Sequence, residues 1–437
     1  MSLGYVVVQL DVSIVNVALN SIGSSYAGSV AALQWVVSAY TIAFAAFILN
    51  AGALGDRLGA RRVFIAGFVA FTLASLVCAT APTLALLIAA RIGQGIGAAL
   101  LVPNSLALLN HAYPDERQRT RAVGLWAAGA SLALTAGPLV GGVLIAAVGW
   151  RSIFLVNLPI GLVGLWLAWR YARETSRSAA RKLDLPGQIT AILGLGALAG
   201  STIEGGEIGW SNGWVLSGYA AACVLLGSFV VVEARAEQPL LPLSLFRRRV
   251  FSLMSFTGLL VNVAFYGLIF VLSLYFQRVN GLSALSTGLA FVPMMGAVLP
   301  ANLLAARVSN RFGSTLTIAA GACLAAGGCL ALLHIAPGTS YWWLWLPFVA
   351  LGGGLGLLVP PLTSALLGSV DKRRSGIASG VLNSMRQTGS VIGVALFGSL
   401  LASSVDLAAG ARLALVISAG LLASGALAAF AAAPQAR

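Results

Sequence analysis

Long apolar segments dominate this sequence and restrict what it can fold into. A helix needs about 20 mostly apolar residues to cross the hydrocarbon core of a bilayer. Only 9% of the residues are charged, against roughly 25% in a soluble globular domain. We therefore predict an all-α integral membrane protein with fourteen spans, which excludes an ordinary soluble enzyme. The predicted spans are 3–20, 34–54, 63–80, 84–110, 122–147, 152–170, 186–204, 213–233, 250–276, 284–305, 315–335, 341–367, 376–402 and 407–431.

The positions of Lys and Arg predict which loops face the cytoplasm. With a cytoplasmic N-terminus, 21 of the 26 Lys and Arg residues fall in cytoplasmic segments and 3 fall in outside loops. Such an excess is typical of cytoplasmic loops. We therefore predict a multi-pass protein of the bacterial cytoplasmic (inner) membrane with both termini inside and no cleavable signal peptide. These loops also account for the net charge of +14, so no nucleic-acid partner is expected.

Two long connections, 171–185 and 234–249, enclose the seventh and eighth spans and leave six spans on either side. This spacing predicts two six-helix bundles plus an inserted helix pair. The predicted boundaries are 1–170 for the N-terminal bundle, 171–249 for the linker with two extra helices, and 250–437 for the C-terminal bundle.

The two predicted bundles share a local sequence pattern. GALGDRLGARRVF at 52–64 follows the second span of the first bundle, and ARVSNRFGSTL at 306–316 follows the second span of the other. Related halves of this kind are typical of transporters whose site lies between them.

Three charged residues lie deep inside predicted spans: Asp11, Arg91 and Arg386. Each costs roughly 2.5–3.5 kcal/mol at a membrane centre on insertion scales, so each is a candidate functional residue. Asp11 either exchanges a proton or is permanently paired with a donor on another helix. Arg91 either modulates a nearby carboxyl or extends to the interface. Arg386 forms a polar stripe with Asn383 and Gln387, which either lines a substrate cavity or pairs structurally.

Other site chemistries are not predicted. The four cysteines lie inside apolar runs and the two histidines are far apart, so no metal site, cofactor or catalytic cluster is expected. The sequence has no Walker motif, which favours the proton gradient over ATP as the energy source.

GALGDRLGARRVF resembles the loop motif G-x-L-a-D-r-x-G-r-k of the major facilitator superfamily. Glycine permits a tight turn and close packing at Gly52 and Gly59. Asp56 is predicted to cap the following helix and to pair with an Arg. Such a charge latch can hold one conformation and break in another. The resemblance implies gating by Gly52, Asp56, Arg57, Gly59 and Arg61.

Two further motifs resemble the same family. LIAARIGQGIGAA, which contains Arg91, is similar to the span-four motif implicated in proton transfer. GASLALTAGPLVGG at 129–142 is similar to the span-five motif of exporters that work as antiporters. The resemblance implies that the span-five residues thin and kink the helix where the halves meet. They are Gly137, Pro138, Gly141 and Gly142.

Several segments more narrowly resemble the fourteen-helix drug:proton antiporter family. They include LDVSIVNVALN at 10–20, GWRSIFLVNLPIG at 149–161 and SGIASGVLNSMRQTGSVIGVALFG at 375–398. One departure is Asn20, where the family usually has Pro.

The resemblance implies a major facilitator fold and a proton-coupled antiporter that exports hydrophobic or cationic drugs by alternating access. Asp11 and Arg91 would couple protons, and Arg386, Asn383 and Gln387 would line the substrate cavity. The expected partners are a drug-like small molecule, protons and the bilayer, and we expect a monomer. A dedicated exporter of one natural product, such as an endogenous antibiotic or siderophore, is the alternative. An integral-membrane enzyme is a further alternative that the sequence does not favour.

Overall fold

The computed structural model describes residues 1–175, 184–236, 239, 241–335, 340–371, 375–404 and 406–432. All regular elements in this part of the chain are helical, as predicted. Several of the predicted cytoplasmic cations lie outside the described residues, as does part of the predicted linker. These cations are Arg177, Arg181, Lys182, Lys372, Arg373, Arg374 and Arg437.

The first eight predicted spans form nine helices, because the sixth span divides at Val156 into two helices. The helices are α1 (Ser2–Tyr26), α2 (Val30–Leu58), α3 (Ala60–Thr80), α4 (Leu84–Ala112), α5 (Glu116–Val148), α6 (Ser152–Leu155), α7 (Asn157–Tyr171), α8 (Leu185–Ile208) and α9 (Gly213–Arg235).

The later part of the chain begins with the short 3₁₀ helix Leu243–Arg247. Its tenth span also divides, at Phe291, immediately before a proline in the first turn of the next helix. The helices are α10 (Arg249–Arg278), α11 (Ala284–Ala290), α12 (Val292–Phe312), α13 (Ser314–Ala331), α14 (Trp345–Gly368), α15 (Ser375–Ser403) and α16 (Leu407–Ala432), with 3₁₀ turns at Leu332–His334 and Tyr341–Trp343.

Thirteen helical segments of the described chain are long and apolar enough to cross a membrane. The fourteenth predicted span, 376–402, is helical as α15 and has 29 residues, but it is not among the thirteen. The reason is its polar stripe, because Asn383, Arg386 and Gln387 lower the hydropathy of the helix centre. A polar stripe of this kind is typical of a helix that faces protein or a water-filled cavity rather than lipid.

The chain divides into two compact units. Unit 1 contains residues 1–198 and 216–241, and unit 2 contains residues 199–215 and 242–437. The helices α8 and α9 therefore contribute residues to both units. The three-part division at 170 and 249 stays a prediction.

The two units repeat one scheme of helix pairing. In unit 1 the main partners are α1 with α5, α2 with α4, and α3 with α4. In unit 2 they are α10 with α15, α12 with α14, and α13 with α14. Counted by spans within each six-span group, these are the same three pairs: first with fifth, second with fourth, and third with fourth. The repeated pairing shows that the shared sequence pattern reflects a shared structural plan.

Glycine permits the closest of these helix contacts, because the absence of a side chain lets two backbones approach. A Cβ atom added at Gly389 on α15 would lie 2.4 Å from the carbonyl oxygen of Leu259 on α10. One added at Gly393 would lie 2.3 Å from the carbonyl oxygen of Val263. Neither position can accept a larger residue unless the helices move apart.

A single glycine connects the second and third spans in each unit. Gly59 joins α2 to α3 with φ +100°, and Gly313 joins α12 to α13 with φ +85°. Side chains other than glycine rarely adopt these backbone angles. The predicted tight turn at Gly59 is therefore present, and its repeat in unit 2 lies at the matching place in ARVSNRFGSTL.

Candidate functional site

Asp11 and Arg91 form an ion pair inside unit 1. Nη1 of Arg91 lies 2.5 Å from Oδ2 of Asp11, although the two residues are 80 positions apart in the sequence. The side chain of Asp11 is 0% exposed and that of Arg91 is 1% exposed. Both charges are therefore buried within unit 1 and paired with each other, and their role in proton coupling stays a prediction.

Two amide side chains hold the second oxygen of Asp11. Nε2 of Gln94 donates to Oδ1 of Asp11 at 3.1 Å, and Nδ2 of Asn157 donates to it at 3.0 Å. The same two amides also reach the hydroxyl of Ser75, at 2.8 Å and 3.4 Å. The carboxylate thus receives three donors in a fully buried setting, which is what a buried charge requires.

Arg91 is oriented by four other groups. Its Nε donates to the carbonyl oxygen of Val36 at 3.0 Å, and its Nη1 donates to Oε1 of Gln94 at 2.8 Å. The guanidinium carbon lies 4.3 Å from the ring centroid of Tyr40 and 5.9 Å from that of Phe154. We call Asp11, Ser75, Arg91, Gln94 and Asn157 the polar network; its side chains come from α1, α3, α4 and α7, and Val36 connects it to α2.

The chemistry of the polar network depends on both charges. A buried ion pair is tolerable while each partner balances the other, and removal of one leaves the other uncompensated. Binding of a proton to Asp11 would neutralise the carboxylate and release Arg91 from its counter-ion. In this structure the carboxylate is paired, as in the second of the two sequence-based alternatives. An exchangeable role for it stays a prediction.

The start of α3 has acceptors that the sequence did not indicate. The backbone N–H of Ala60 donates to the hydroxyl of Thr175 at 3.0 Å, and the N–H of Arg61 donates to Oε1 of Glu174 at 3.0 Å. The first turn of α3 is therefore capped from beyond the end of α7, and a capping role for Asp56 stays a prediction. A carboxylate at a helix N-terminus is stabilised there by the helix dipole.

The motif residues themselves lie around the Gly59 joint. Asp56 is half-buried in the last turn of α2, Arg57 is exposed, and Nη2 of Arg61 donates to the carbonyl oxygen of Trp169 at 2.6 Å. A Cβ added at Gly59 would lie 2.4 Å from Glu174 Oε1. The motif thus connects the α2–α3 joint to the end of the sixth span.

Close packing in this motif occurs at Gly55 and not at Gly52. A Cβ added at Gly52 would meet only Cβ of Pro103, at 3.8 Å, whereas one added at Gly55 would lie 1.8 Å from Oδ1 of Asn104. Nδ2 of Asn104 also donates to the carbonyl oxygen of Ala51 at 3.1 Å. Residues of α2 spaced four apart lie on one face, so Gly55 and Ala51 share the surface that contacts α4.

The span-five motif packs against α1 at residues 13–17, in the turns that follow Asp11. Gly137, Pro138, Gly141 and Gly142 are all buried in α5, which continues through the proline. A Cβ at Gly137 would lie 1.8 Å from Oγ of Ser13, and one at Gly141 would lie 2.7 Å from Val17 Cγ2. Both glycines therefore contact α1 of their own unit. A role where the two halves meet stays a prediction.

The polar stripe of α15 lies in unit 2. Nη2 of Arg386 donates to the hydroxyl of Thr363 on α14 at 2.8 Å. Asn383, Arg386 and Gln387 are half-buried. The stripe therefore makes at least one structural contact, and its place in a substrate cavity stays a prediction.

Sequence reasoning missed the residues that complete the network and the cap. Gln94 and Asn157 lay within segments already compared with the family, and a polar side chain in an apolar span was the available signal. Glu174 and Thr175 gave no such signal, because they follow the sixth span in a charged connection. Their role depends on a contact with a helix more than 100 residues away in the sequence.

Comparisons with known proteins agree with this architecture. The methylenomycin A resistance protein of Streptomyces coelicolor is 40% identical over 403 residues, which cover 92% of this chain and 85% of that protein. The multidrug resistance protein Stp of Mycobacterium tuberculosis is 39% identical over 404 residues, covering 92% of this chain and 74% of that protein.

A solved structure and a family profile complete the comparison. The human organic anion transporter MFSD10 (TETRAN) has a similar fold, with a TM-score of 0.67, 18% identity and coverage of 98% of each chain. The profile described as Major Facilitator Superfamily matches residues 1–394. This all-helical chain, with its repeated helix pairing, therefore belongs to the major facilitator superfamily of membrane transporters.

Proposed function

We propose that this protein exports drug-like small molecules from a bacterial cell across the cytoplasmic membrane in exchange for protons. The family supports a transporter, and the names of the relatives refer to resistance against methylenomycin A and against multiple drugs. The observation that carries the proton-coupled part is the buried Asp11–Arg91 pair. A carboxyl inside a membrane-spanning unit is costly and is typical of proton pathways.

In the proposed mechanism the polar network changes with the protonation of Asp11. The ionised carboxylate holds α1 to α4 and α7 through its three donors. A proton on Asp11 weakens this attachment, so the alternating-access equilibrium responds to protons. The transmembrane potential supplies about 2.3 kcal/mol per charge per 100 mV. The orientation with both termini inside, and action as a monomer, belong to this proposal.

Gating by Gly52, Asp56, Arg57, Gly59 and Arg61 is part of the same proposal. It is supported by the contact of Glu174 and Thr175 with the start of α3. That contact joins the α2–α3 joint to the end of α7. If α3 moves relative to α7, these hydrogen bonds must therefore break; otherwise the two helices must move together.

A second candidate function is export of a single natural product. The observation that favours it is the name of one relative, which refers to resistance against one antibiotic at 40% identity. The relative at 39% identity is named for multidrug resistance. Both candidates use the same proton chemistry and differ in the breadth of cargo.

The test is proton movement in everted membrane vesicles. Addition of a cargo to energised vesicles should alkalinise the lumen, because each exchange removes protons from it. We expect the Asp11→Asn variant to lose this signal and the Asp115→Asn variant to keep it, since Asp115 is exposed at the start of α5. Retention of the full signal by Asp11→Asn, at equal protein level, would exclude the coupling role.

The breadth of the panel distinguishes the two candidates. A response to several unrelated lipophilic cations and neutral dyes supports a multidrug exporter. A response to one antibiotic alone supports the dedicated exporter.

A further inference from the structure

Asn157 has an acceptor atom that the polar network does not use. The residue is 0% exposed, and its Nδ2 donates to Oδ1 of Asp11 at 3.0 Å and to Ser75 at 3.4 Å. Its Oδ1 is buried and has no hydrogen-bond partner among the described residues. A buried acceptor without a donor is unfavourable, so a position that keeps one requires a physical reason.

The other side chains of the polar network have no comparable acceptor. Oε1 of Gln94 already accepts from Nη1 of Arg91 and from Sγ of Cys78, at 2.8 Å and 3.2 Å. Arg91 has donors only. The hydroxyl of Ser75 donates to the carbonyl oxygen of Phe71 at 2.7 Å.

The titratable and charged groups near Asp11 come from the surrounding helices. They are Arg91 from α4, Cys78 from α3 and Tyr40 from α2. The helix α5 contacts α1 at residues 13–17 through Gly137 and Gly141, which have no titratable side chain. The helix α7 presents the neutral amide of Asn157. Among the described side chains that donate to Asp11, the Asn157 amide is thus the one with an acceptor that has no hydrogen-bond partner.

We propose that Asn157 is the positioning residue that allows Asp11 to hold a proton, an inference that rests on the proposed function. When Asp11 is ionised, the amide donates its N–H to the carboxylate. When a proton binds, an O–H bond forms at Oδ1 of Asp11. The amide then turns by about 180° and its oxygen accepts that O–H. Arg91 remains protonated throughout, and no bond to carbon forms or breaks.

The shape of the amide suits this rotation, which exchanges the N–H bond to Ser75 for the new contact with Asp11. The amide nitrogen and oxygen of asparagine have nearly the same size and exchange places on a half-turn. The distance of 3.0 Å from Asn157 to Asp11 suits N–H···O and also lies within reach of O–H···O. The two protonation states of Asp11 thus correspond to two orientations of one buried amide.

The chain offers a matched control for a test of this role. Asn104 is also a buried asparagine of unit 1, 1% exposed, and its Nδ2 donates to two carbonyl oxygens, of Ala51 and Leu100. It does not belong to the polar network. Asn157→Leu and Asn104→Leu therefore remove equivalent side chains with similar losses of hydrogen bonds, but only the first changes the surroundings of Asp11.

The experiment is infrared difference spectroscopy of the full chain in lipid vesicles over a pH series. The carboxylic C=O band that disappears in Asp11→Asn identifies protonated Asp11. We expect Asn157→Leu to change the frequency of this band and to move its pH midpoint by about one unit or more. We expect Asn104→Leu to leave both unchanged. An unchanged band and midpoint in Asn157→Leu overturns the proposal, as does an equal shift in Asn104→Leu.

A measurement on the unsubstituted side chains covers the case in which Asn157→Leu does not fold. With ¹³C in the asparagine side-chain carbonyls, one amide band should shift as the Asp11 band appears. This shift should be absent in Asp11→Asn. No coupled amide shift overturns the proposal.

The results also separate this inference from the proposed function. Proton-coupled transport that depends on Asp11, with no amide response, refutes the role of Asn157 alone. An amide response without proton-coupled transport refutes the proposed function and leaves the positioning role of Asn157 at Asp11 supported.

Discussion

The two units use the same helix pairs, but one contact of this scheme differs in its chemistry. In unit 1 the first and fourth spans meet through the Asp11–Arg91 ion pair. In unit 2 the corresponding helices α10 and α14 meet near the end of α10 through Phe276 and Phe348, whose ring centroids lie 6.0 Å apart. Phe291 contacts both rings at 6.0 Å and 6.2 Å. The first contact is charged and hydrogen-bonded, and the second is aromatic.

This difference indicates that one set of residues specifies which helices pair and another set specifies the chemistry of their contacts. Small residues and glycine joints set which helices approach, and they are similar in the two units. The side chains at the contact then determine whether it responds to protons. An aromatic cluster contributes buried area and has no protonation states, whereas the polar network has two. Unit 1 therefore contains the candidate for coupling, and the aromatic contact of unit 2 offers an apolar comparison for it.

The largest expected effect is the removal of one charge from the ion pair. Arg91→Met leaves the carboxylate of Asp11 buried without its counter-ion, so we expect the free energy of unfolding to fall by about 3–5 kcal/mol. In unit 2, Phe276→Leu removes part of a buried ring but leaves no unpaired charge, so it should cost less, about 1–2 kcal/mol. Unfolding of the purified protein in lipid–detergent mixtures measures both.

The double variant Asp11→Asn/Arg91→Met tests whether charge imbalance causes this loss. Because both charges are removed together, we expect it to be more stable than Arg91→Met alone. If the double variant is less stable than Arg91→Met, packing rather than charge stabilises the contact between α1 and α4. The contact would then resemble the aromatic contact of unit 2 in what stabilises it.

An intermediate effect is expected where glycines bring helices together. Gly393→Ala places its Cβ 2.3 Å from a backbone oxygen of α10, so the helices must separate, at a cost of about 1–3 kcal/mol. Gly137→Ala meets first the hydroxyl of Ser13, which can rotate, and then Cβ of Ser13 at 2.8 Å, so α1 and α5 must also separate, but by less. We expect Gly393→Ala to lower the free energy of unfolding more than Gly137→Ala does. The same unfolding measurement compares the two variants. A larger fall in the free energy of unfolding for Gly137→Ala would contradict the closer backbone contact at Gly393.

The smallest difference is expected between the two glycine joints. Both Gly59→Ala and Gly313→Ala force an unfavourable φ, which costs about 1–3 kcal/mol. A Cβ at Gly59 also meets the Glu174 carboxylate, whereas one at Gly313 has no heavy atom within 4 Å. Gly59→Ala should therefore be the more harmful, by about 1 kcal/mol. Adding Glu174→Ala to each variant should reduce this difference, and an undiminished difference would exclude Glu174 as its cause.

The sequence predicts the fold because its signals are local. Spans, joints and loop charges follow from runs of about 20 residues and from single glycines. It also identifies Asp11 and Arg91 as costly residues, because each stands out from its own apolar segment.

The partners of these residues could not be predicted, since they depend on contacts between distant segments. Nothing near Asp11 in the sequence indicates Asn157, which is 146 positions away. Gly55 and Glu174 were likewise missed, because their importance comes from Asn104 and from the start of α3. The motif pointed to the correct joint, but it did not indicate Glu174 and Thr175 as acceptors there.

The cap on α3 has a consequence for dividing this protein into halves. The N–H groups of Ala60 and Arg61 are bonded by Thr175 and Glu174, which follow the last helix of the first six spans. An isolated N-terminal half that stops at the membrane boundary of its sixth span would thus lack two hydrogen-bond acceptors for its third. Separate production of this half requires the chain to continue through Thr175.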